Sequence, residues 1–385
     1  MREVAVLGIG QTKIEEHWDK SLRELAGEAV LNCLADAGMN SVEALYVGNM
    51  LSGASNRQQQ LGAYIADWVG LKQIEAARIE AACSSGASAF RAAVLAVASG
   101  DIDSAIAVGV EKMTDVLPAE ITKSLATAAD AEYEGAHGLS FVGLNALIMK
   151  RYMYEYGWKH EDFAGFSINS HANAVHNPYA RFRKAITAQE FSKATTIADP
   201  TNILDASPVG DGAAATLIIP LEQLQRLPDR KKVKVVASAA ATDPIAIHSR
   251  PDPLWLTAAE KSVQSAYRQA GVGPQDIDIF ELHDAFSIMA ALSLEACGFA
   301  EGGKAPALAI NNDICIKGRI PICTLGGLKS RGHPVGATGM YQIVEVVEQL
   351  RQEAGPTQVE GARFGMAQNI GGSGSNILTH ILEAL

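Results

Sequence analysis

The sequence lacks the features that would place the protein in a membrane or outside the cell. No run of apolar residues approaches the roughly 20 that a membrane-spanning helix needs. The N-terminal segment, Met1-Arg-Glu-Val-Ala-Val-Leu-Gly8, has no apolar secretory core and is typical of a first strand. We therefore expect a cytoplasmic protein without a membrane partner.

Cysteine pairs and excess positive charge are also missing. The five cysteines are odd in number and scattered, without CxxC spacing or a His/Cys cluster. This pattern argues against a disulfide framework and against a metal site in this chain. The net charge of −11 argues against a nucleic-acid partner. It leaves room for an anionic co-substrate held by a local basic patch.

What the sequence does contain is typical of a globular α/β protein. It has 385 residues, of which 48% are hydrophobic and 35 are glycine. This length is too great for one simple core, so we expect two domains, or one domain with an insertion.

The pattern of strands and helices occurs twice. Each half contains a β-branched strand, a helix that ends at glycine, a second strand, a small-residue turn before a long helix, and a last strand. In the first half these are 4–8, 22–38, 44–48, 87–99 and 104–109; in the second they are 233–238, 258–271, 277–282, 337–353 and 363–367. Strands that alternate with helices predict parallel-rich sheets with helices on their faces.

The two halves differ by an insertion. Residues 120–199 are polar and irregular apart from a helix-like stretch, Phe141–Tyr156. Long excursions of this kind are usually lids or binding loops. We predict an N-terminal half formed by residues 1–119 and 200–225, an inserted loop domain over 120–199, and a C-terminal half over 226–385.

The two small-residue turns carry reactive side chains. Cys83 lies in Cys83-Ser-Ser-Gly86 and His333 in Gly332-His333-Pro-Val-Gly336, each before a long helix. A thiol at a helix N-terminus faces unpaired N–H groups, so its thiolate should be favoured and it is a candidate nucleophile. If the halves are related by a pseudo-two-fold axis, equivalent turns meet near it. A buried structural cysteine and a simple His-Pro turn are the alternatives at this point.

Three further motifs accompany Cys83. They are Glu281-Leu-His283-Asp-Ala285-Phe286, the glycine-rich segment 326–339 around His333, and Gln368-Asn369-Ile-Gly371-Gly-Ser-Gly374. With these motifs the whole chain resembles the thiolase superfamily, most closely archaeal-type acetyl-CoA acetyltransferases and sterol carrier protein X-type thiolases. The resemblance implies a duplicated five-layered αβαβα fold with an inserted loop domain, and CoA thioesters as substrates.

The resemblance also assigns roles to residues. Cys83 would be acylated, and His333 would act as general base and donate a hydrogen bond to the thioester oxygen. His283 would help to form the first oxyanion hole, and the N–H groups of Cys83 and Gly371 would form the second. Claisen cleavage expels an enolate, and such donors stabilise the developing charge by about 3 kcal/mol each.

One expected residue is absent. Most thiolases carry a second catalytic cysteine in a C-terminal CxG motif, where this chain has Asn369, and some carry it within HDCF, where this chain has Ala285. Cys323 is a conceivable substitute. The alternative is that His283 handles the proton itself, as part of a Cys83–His283–His333 set.

Weaker features concern ligand binding. Ser249 and Arg250 follow a strand where thiolases pass the pantetheine arm of CoA, so we consider them for binding CoA or a substrate carboxylate. His176 lies in the segment that resembles the thiolase loop domain. Lys329 and Arg331 flank the His333 turn and would favour an anionic acyl group. Each of these residues has an ordinary surface or turn role as its alternative.

The leading hypothesis is a CoA-dependent thiolase that acts on a 3-oxoacyl-CoA through acyl-Cys83. Its substrate would be a branched or aromatic/dicarboxylic acyl chain, such as an aroylsuccinyl-CoA, met in lipid or aromatic degradation. CoA would be a co-substrate, with no permanently bound cofactor. Partners would be a second copy in a homodimer core and a small zinc-ribbon/OB-fold subunit. The alternatives are a thiolase-fold retro-aldol lyase for 3-hydroxyacyl-CoA and a non-catalytic acyl-CoA-binding subunit.

Overall fold

The computed structural model describes residues 2–225 and 231–385. The N-terminal half follows the predicted order, with an additional helix and strand before the Cys83 turn. Its elements are β1 (Val4–Gln11), α1 (Leu22–Ala37), β2 (Ala44–Gly48), α2 (Leu61–Trp68), β3 (Glu75–Ile79), α3 (Ser85–Ser99) and β4 (Ala105–Glu111).

The insertion is mainly helical and leads back into a buried strand. The predicted helix Phe141–Tyr156 is found with the same bounds; it begins after Ser140, whose hydroxyl caps it by accepting from the N–H of Gly143, and ends at Gly157 in the left-handed region. The elements are α4 (Pro118–Ala126), α5 (Phe141–Tyr156), α6 (Ala164–Ala174), α7 (Ala188–Ser192), β5 (Thr196–Ala198), β6 (Thr201–Asn202), β7 (Gly212–Pro220) and α8 (Leu221–Gln225).

The C-terminal half repeats the pattern and ends in a hairpin. Its elements are β8 (Val233–Thr242), α9 (Thr257–Ala270), β9 (Ile279–Glu281), α10 (Ser287–Ala296), α11 (Ala305–Ile310), α12 (Thr338–Leu350), β10 (Phe364–Gly371) and β11 (Asn376–Ala384). The predicted boundary between residues 225 and 226 falls where the described residues stop, and the three-part domain division stays a prediction.

Nine of the described strands form a mixed sheet in the order β3-β2-β4-β7-β1-β8-β11-β10-β9, and β5 and β6 form a separate two-stranded sheet. The two halves join where β1 pairs with β8 over three residue pairs. Parallel pairing links β2 to β3 and β4, and β9 to β10, whereas β7 and β11 are antiparallel to their neighbours. The expectation of parallel-rich sheets was therefore wrong. The reason is that β7 returns after the long insertion and β11 after a tight turn, so neither has a short helical crossover.

Helices α3 and α12 form the central layer. Apolar residues of α3, among them Phe90 and Val94, share one buried cluster with Met340 and Val344 of α12 and with strand residues from both halves. On the outer faces, α1 and α2 cover the N-terminal strands, and α9 and α10 cover the C-terminal strands. These are five alternating layers of helix and sheet, which confirms the predicted fold class.

The helix of the Cys83 turn is apolar enough to be compared with a membrane span. Residues Ala82–Ser99 are long and apolar enough to cross a membrane, but 61% of this stretch is buried inside the protein. It therefore packs as the core helix of the central layer.

Candidate active site

The turn before α3 presents the Cys83 sulfur. Ala82 adopts a left-handed conformation with φ of 52°, which is unusual for a residue with a side chain. The hydroxyls of Ser84 and Ser85 hold this turn by donating to the carbonyls of Ala81 and Ala82, each at 2.6 Å. Cys83 is 8% exposed and lines a cavity, so its sulfur is protected from bulk water but open to a ligand.

Glycines bring the starts of α3 and α12 together, as the repeat predicted. A Cβ atom at Gly86 would lie 2.9 Å from the carbonyl oxygen of Gly336 and 3.0 Å from the amide nitrogen of Met340. A Cβ atom at Gly339 would lie 2.5 Å from the amide nitrogen of Ala87. Only glycine permits this contact between the two backbones, and it places the Cys83 and His333 turns side by side.

The cavity at Cys83 has a volume of about 530 Å³ and is lined by all three residues of the proposed set. Cys83, His283 and His333 line it together with Gly372 of the loop after β10. The remaining wall is mostly apolar and comes from the segment after β4, the insertion and the C-terminal half; it includes Met113, Val116, Ile121, Leu125, Phe141, Val142, Phe286, Met289, Val335 and Ile370. Such a cavity suits a sizeable apolar ligand with its reactive group at the polar end.

A hydrogen bond fixes the proton of His333. The Thr338 hydroxyl lies 2.6 Å from Nδ1 of His333 and donates to the carbonyl oxygen of Pro334 at 3.1 Å. Because that hydroxyl has a single proton, both contacts are satisfied only when Nδ1–H of His333 donates to Thr338. Nε2 of His333 is then unprotonated, which is the form that a general base needs.

His283 carries the opposite arrangement. The Asn369 side-chain amide donates from Nδ2 to Nδ1 of His283 at 2.9 Å, so the proton of His283 lies on Nε2. The rings of His283 and His333 have centroids 5.1 Å apart and are nearly perpendicular. Asn369, at the position of the usual second cysteine, therefore orients an imidazole, and the pair offers one acceptor and one donor.

The site is electrically neutral at rest. Burial raises the pKa of the Cys83 thiol to about 12, although the N–H of Gly372 bonds to its sulfur and lowers it. The expectation that the helix N-terminus favours the thiolate was therefore wrong, because desolvation outweighs the N–H groups. Burial, assisted by Arg331, lowers the pKa of His333 to about 3, and burial also lowers that of His283 well below its usual value. The cavity thus contains a thiol and two neutral imidazoles.

The loop after β10 supplies a backbone donor. The N–H next to the Cys83 sulfur belongs to Gly372, whereas Gly371, which the resemblance implies, is the last residue of β10 and pairs with Asn376. Arg250 is buried rather than placed at a surface phosphate site, and its Nη1 donates to the carbonyl oxygen of Ser373 at 2.7 Å. Its guanidinium thus fixes the loop that carries Gly372, while Nη2 has no hydrogen-bond partner among the described residues, and a role in binding CoA or a carboxylate stays a prediction.

Several other predicted residues are not brought to the cavity. Cys323 is fully buried in the C-terminal core, and the carboxylate of Asp284 raises its pKa further above the value set by burial. It does not line the cavity, so this geometry does not favour Cys323 as the second catalytic cysteine. Lys329 is buried and donates to the carbonyl oxygen of Asp205, and Arg331 is paired with Glu345, so neither cation faces an acyl group. Ser249 and His176 are exposed and line no part of the cavity at Cys83.

Sequence reasoning missed a buried carboxylate beside the site. Glu111, the last residue of β4, accepts hydrogen bonds from the N–H groups of Met50, Leu51 and Gly336 at 2.9–3.0 Å and from Asn49. Burial raises the pKa of Glu111 to about 7. It joins the N-terminal half to the turn that carries His333. A single acidic residue at the end of an apolar strand was the only signal in the sequence.

Comparisons with known proteins identify the family. The thiolase N-terminal domain model matches residues 4–222, and the thiolase C-terminal domain-like model matches residues 239–384. The chain is 45% identical over 385 residues to an acetyl-CoA acetyltransferase of Methanothermobacter thermautotrophicus, and the alignment covers 100% of both chains. It is 32% identical to the benzoylsuccinyl-CoA thiolase subunit BbsB of Thauera aromatica, over 96% of this chain and 95% of the relative. It is 31% identical to sterol carrier protein 2 of Rattus norvegicus, over 98% of this chain and 71% of the relative.

A solved structure described as an Ltp2–ChsH2(DUF35) aldolase shares the fold, with a TM-score of 0.87 over 99% of this chain and 98% of that chain. At 23% sequence identity this likeness speaks for the fold alone. The resemblance drawn from the motifs is confirmed by the two domain models and by the relatives. The chain belongs to the thiolase family of acyltransferases.

Proposed function

We propose that this protein is a CoA-dependent thiolase that cleaves or forms a 3-oxoacyl-CoA through an acyl-Cys83 intermediate. The observation that carries the proposal is that Cys83, His333 and His283 line the same mostly apolar cavity. One imidazole is held as a hydrogen-bond acceptor and the other as a donor. Claisen chemistry needs both, an acceptor for the thiol proton and a donor to the enolate oxygen.

Acylation begins with a proton transfer. When the 3-oxo carbon of the substrate reaches Cys83, Nε2 of His333 takes the thiol proton and the sulfur attacks that carbon. The bond between the sulfur and the carbonyl carbon forms, and the bond to the α-carbon breaks with its electron pair on the departing acetyl-CoA enolate. The N–H of Gly372 lies beside the sulfur, where charge develops on the former keto oxygen.

The departing enolate must be stabilised and then protonated. Nε2–H of His283 first donates to the thioester oxygen of the enolate and then gives its proton to the α-carbon. The proton that His333 took from Cys83 replaces it, so both imidazoles end neutral. His283 thus acts in place of the absent second cysteine, with Asn369 holding its tautomer. In the second half-reaction the CoA thiol attacks acyl-Cys83 and the thiol proton returns, so the cycle is ping-pong.

We further propose a branched or aromatic acyl chain as the substrate. An acetyl group would leave most of a cavity of about 530 Å³ unfilled, whereas the aromatic and branched side chains of its wall suit a bulky apolar group. The similarity to a benzoylsuccinyl-CoA thiolase subunit supports this proposal. Degradation of lipids or aromatic compounds in the cytoplasm is the corresponding setting.

Partner subunits belong to the same proposal. We propose a homodimer core that works with a small zinc-ribbon/OB-fold subunit. The relative from Thauera aromatica is named as a subunit, and the solved assembly pairs Ltp2 with a second protein, ChsH2(DUF35). Co-purification of this chain with the product of a neighbouring gene would test the partner.

Intact-protein mass after incubation with a panel of 3-oxoacyl-CoAs tests the function. We expect the wild type to gain the mass of one acyl group, and Cys83→Ala to lose both the adduct and thiolysis. Cys323→Ala is the matched control because this thiol does not reach the cavity, and it should keep most of its activity. His283→Ala should lose at least about 100-fold in kcat. If Cys323→Ala lost its activity and His283→Ala kept it, the catalytic role assigned to His283 would be wrong.

A retro-aldol lyase is the second candidate. The missing second cysteine and the likeness in fold to an aldolase favour it. A 3-hydroxyacyl-CoA would be cleaved without an acyl-enzyme, so Cys83→Ala would then keep its turnover and the wild type would gain no mass. The presence of Cys83 in a cavity that two imidazoles also line favours the thiolase.

A further inference from the structure

Arg181 is a positively charged residue of the cavity wall that the proposed reaction does not use. Among the described residues that line the cavity, it is the one lysine or arginine. It follows α6 and lies close to the catalytic turn, since its N–H donates to the carbonyl oxygen of Arg331 at 2.9 Å. A Cβ atom at Gly332, next to His333, would lie 3.6 Å from Cβ of Arg181.

The guanidinium of Arg181 is only partly satisfied. Its Nη2 donates to Oε1 of Glu16 at 2.5 Å, while its Nε is buried and has no hydrogen-bond partner among the described residues. The ring of Phe182 lies 5.5 Å from the guanidinium carbon and limits its movement. Arginine binds carboxylates best through two parallel N–H groups, and here one of the pair is unused.

Glu16 is a replaceable partner. Its side chain is 45% exposed, whereas that of Arg181 is 19% exposed. An exposed ion pair contributes little, so Glu16 can turn toward water at small cost. A carboxylate from the cavity side would take Nε and Nη2 together and would relieve the unpaired N–H. An uncharged chain would leave the Glu16 pair intact.

We infer that Arg181 is a specificity residue that binds a carboxylate on the acyl chain of the substrate. The ligand class is a 3-oxoacyl-CoA whose chain carries a carboxylate beyond the 3-oxo group. This inference rests on the proposed thiolase function and names the substrate feature that the apolar wall alone does not select. Lys329 and Arg331, which the sequence favoured for this role, point into the protein core instead.

The test compares two substrates of equal length, 3-oxoadipyl-CoA and the derivative in which its terminal carboxylate is an amide. Arg181→Met should lower kcat/KM about 30- to 100-fold for the acid, as expected for lost hydrogen bonds to a charged group, and less than about three-fold for the amide. Glu16→Gln should raise kcat/KM for the acid by removing its competitor. The control is Arg183→Met, an exposed arginine that bonds to the carbonyl oxygen of Val175 and does not line the cavity. It should match the wild type.

Two further measurements separate the possible failures. With pantetheine thioesters, which lack the nucleotide phosphates of CoA, the preference for the acid should persist; its loss would show that Arg181 holds a CoA phosphate and would overturn the inference. If Arg181→Met lost kcat/KM equally for the acid and for the amide, the inference would also be overturned. Calorimetric binding of both CoA esters to Cys83→Ala gives the same comparison without turnover, so the Arg181 inference is tested even if no acyl-enzyme forms.

Discussion

At the scale of single residues, the site depends on two hydrogen bonds that set which nitrogen of each imidazole carries a proton. Thr338 accepts from His333 and Asn369 donates to His283, so two identical side chains acquire opposite roles. Burial keeps both rings neutral, which allows the same site to accept a proton from Cys83 and to offer one to an enolate.

The Thr338 hydroxyl gives a prediction at this scale. Thr338→Val keeps the shape of the side chain but removes the acceptor for Nδ1–H of His333, so the proton can move to Nε2 and block the base. We expect kcat to fall about 10- to 100-fold with a small change in KM. Thr338→Ser restores the hydroxyl and should recover most of the activity.

Tautomer populations measured by ¹⁵N NMR on the imidazoles distinguish this positioning role from a structural one. Thr338→Val should shift His333 from the Nδ1–H to the Nε2–H form. A Val variant with wild-type kcat and an unchanged His333 tautomer would refute the assignment.

At the scale of elements, the glycines at the starts of α3 and α12 determine whether the two halves of the site meet. We expect Gly86→Ala to lower the free energy of unfolding by about 1–3 kcal/mol, because its Cβ would press on the α12 backbone. It should also lower kcat, since Cys83 and His333 would move apart. Urea denaturation and steady-state kinetics check both effects.

Gly143→Ala is the matched control. Gly143 lies within α5, and the nearest atom to an added Cβ is Oγ of Ser140 at 3.7 Å. This variant should be neutral or more stable by about 0.5–1 kcal/mol, as for alanine in an open helical position. Equal destabilisation in both variants would show that the contact between the helix starts has no special importance.

At the scale of the whole molecule, a buried histidine should make stability depend on pH. His380 of β11 is buried edge-on against Phe90 of α3. Burial, assisted by Arg91, lowers the pKa of His380 to about 3. Below the unfolded-state value of about 6.5 the unfolded chain binds a proton that the native protein does not, so stability falls as the pH falls.

Replacing that residue should remove this dependence. Between pH 8 and pH 5 the free energy of unfolding should fall in both proteins. We expect the fall to be about 2 kcal/mol smaller in His380→Leu than in the wild type. Urea denaturation at the two pH values measures the difference. His137→Leu changes an exposed histidine and should follow the wild type. An identical pH dependence in His380→Leu and the wild type would contradict the prediction.

The sequence by itself determined the fold class and the residues at the two helix starts, and it predicted the inserted loop domain. These properties are local: hydrophobic periodicity specifies elements, small residues specify the turns, and the repeat predicts which turns meet. The motif around His333 also contained Thr338, although its role was not visible there, because the role depends on where a hydroxyl points.

Only the tertiary structure decided which charged and reactive groups face the cavity. Cys323 and Arg331 are as close in sequence to His333 as any catalytic candidate, but both are buried in the core, whereas Arg181 reaches the wall from a distant segment. Desolvation likewise raised the pKa of Cys83 against the effect of its helix. Burial and pairing are sums over neighbours from many parts of the chain, so residue order cannot supply them.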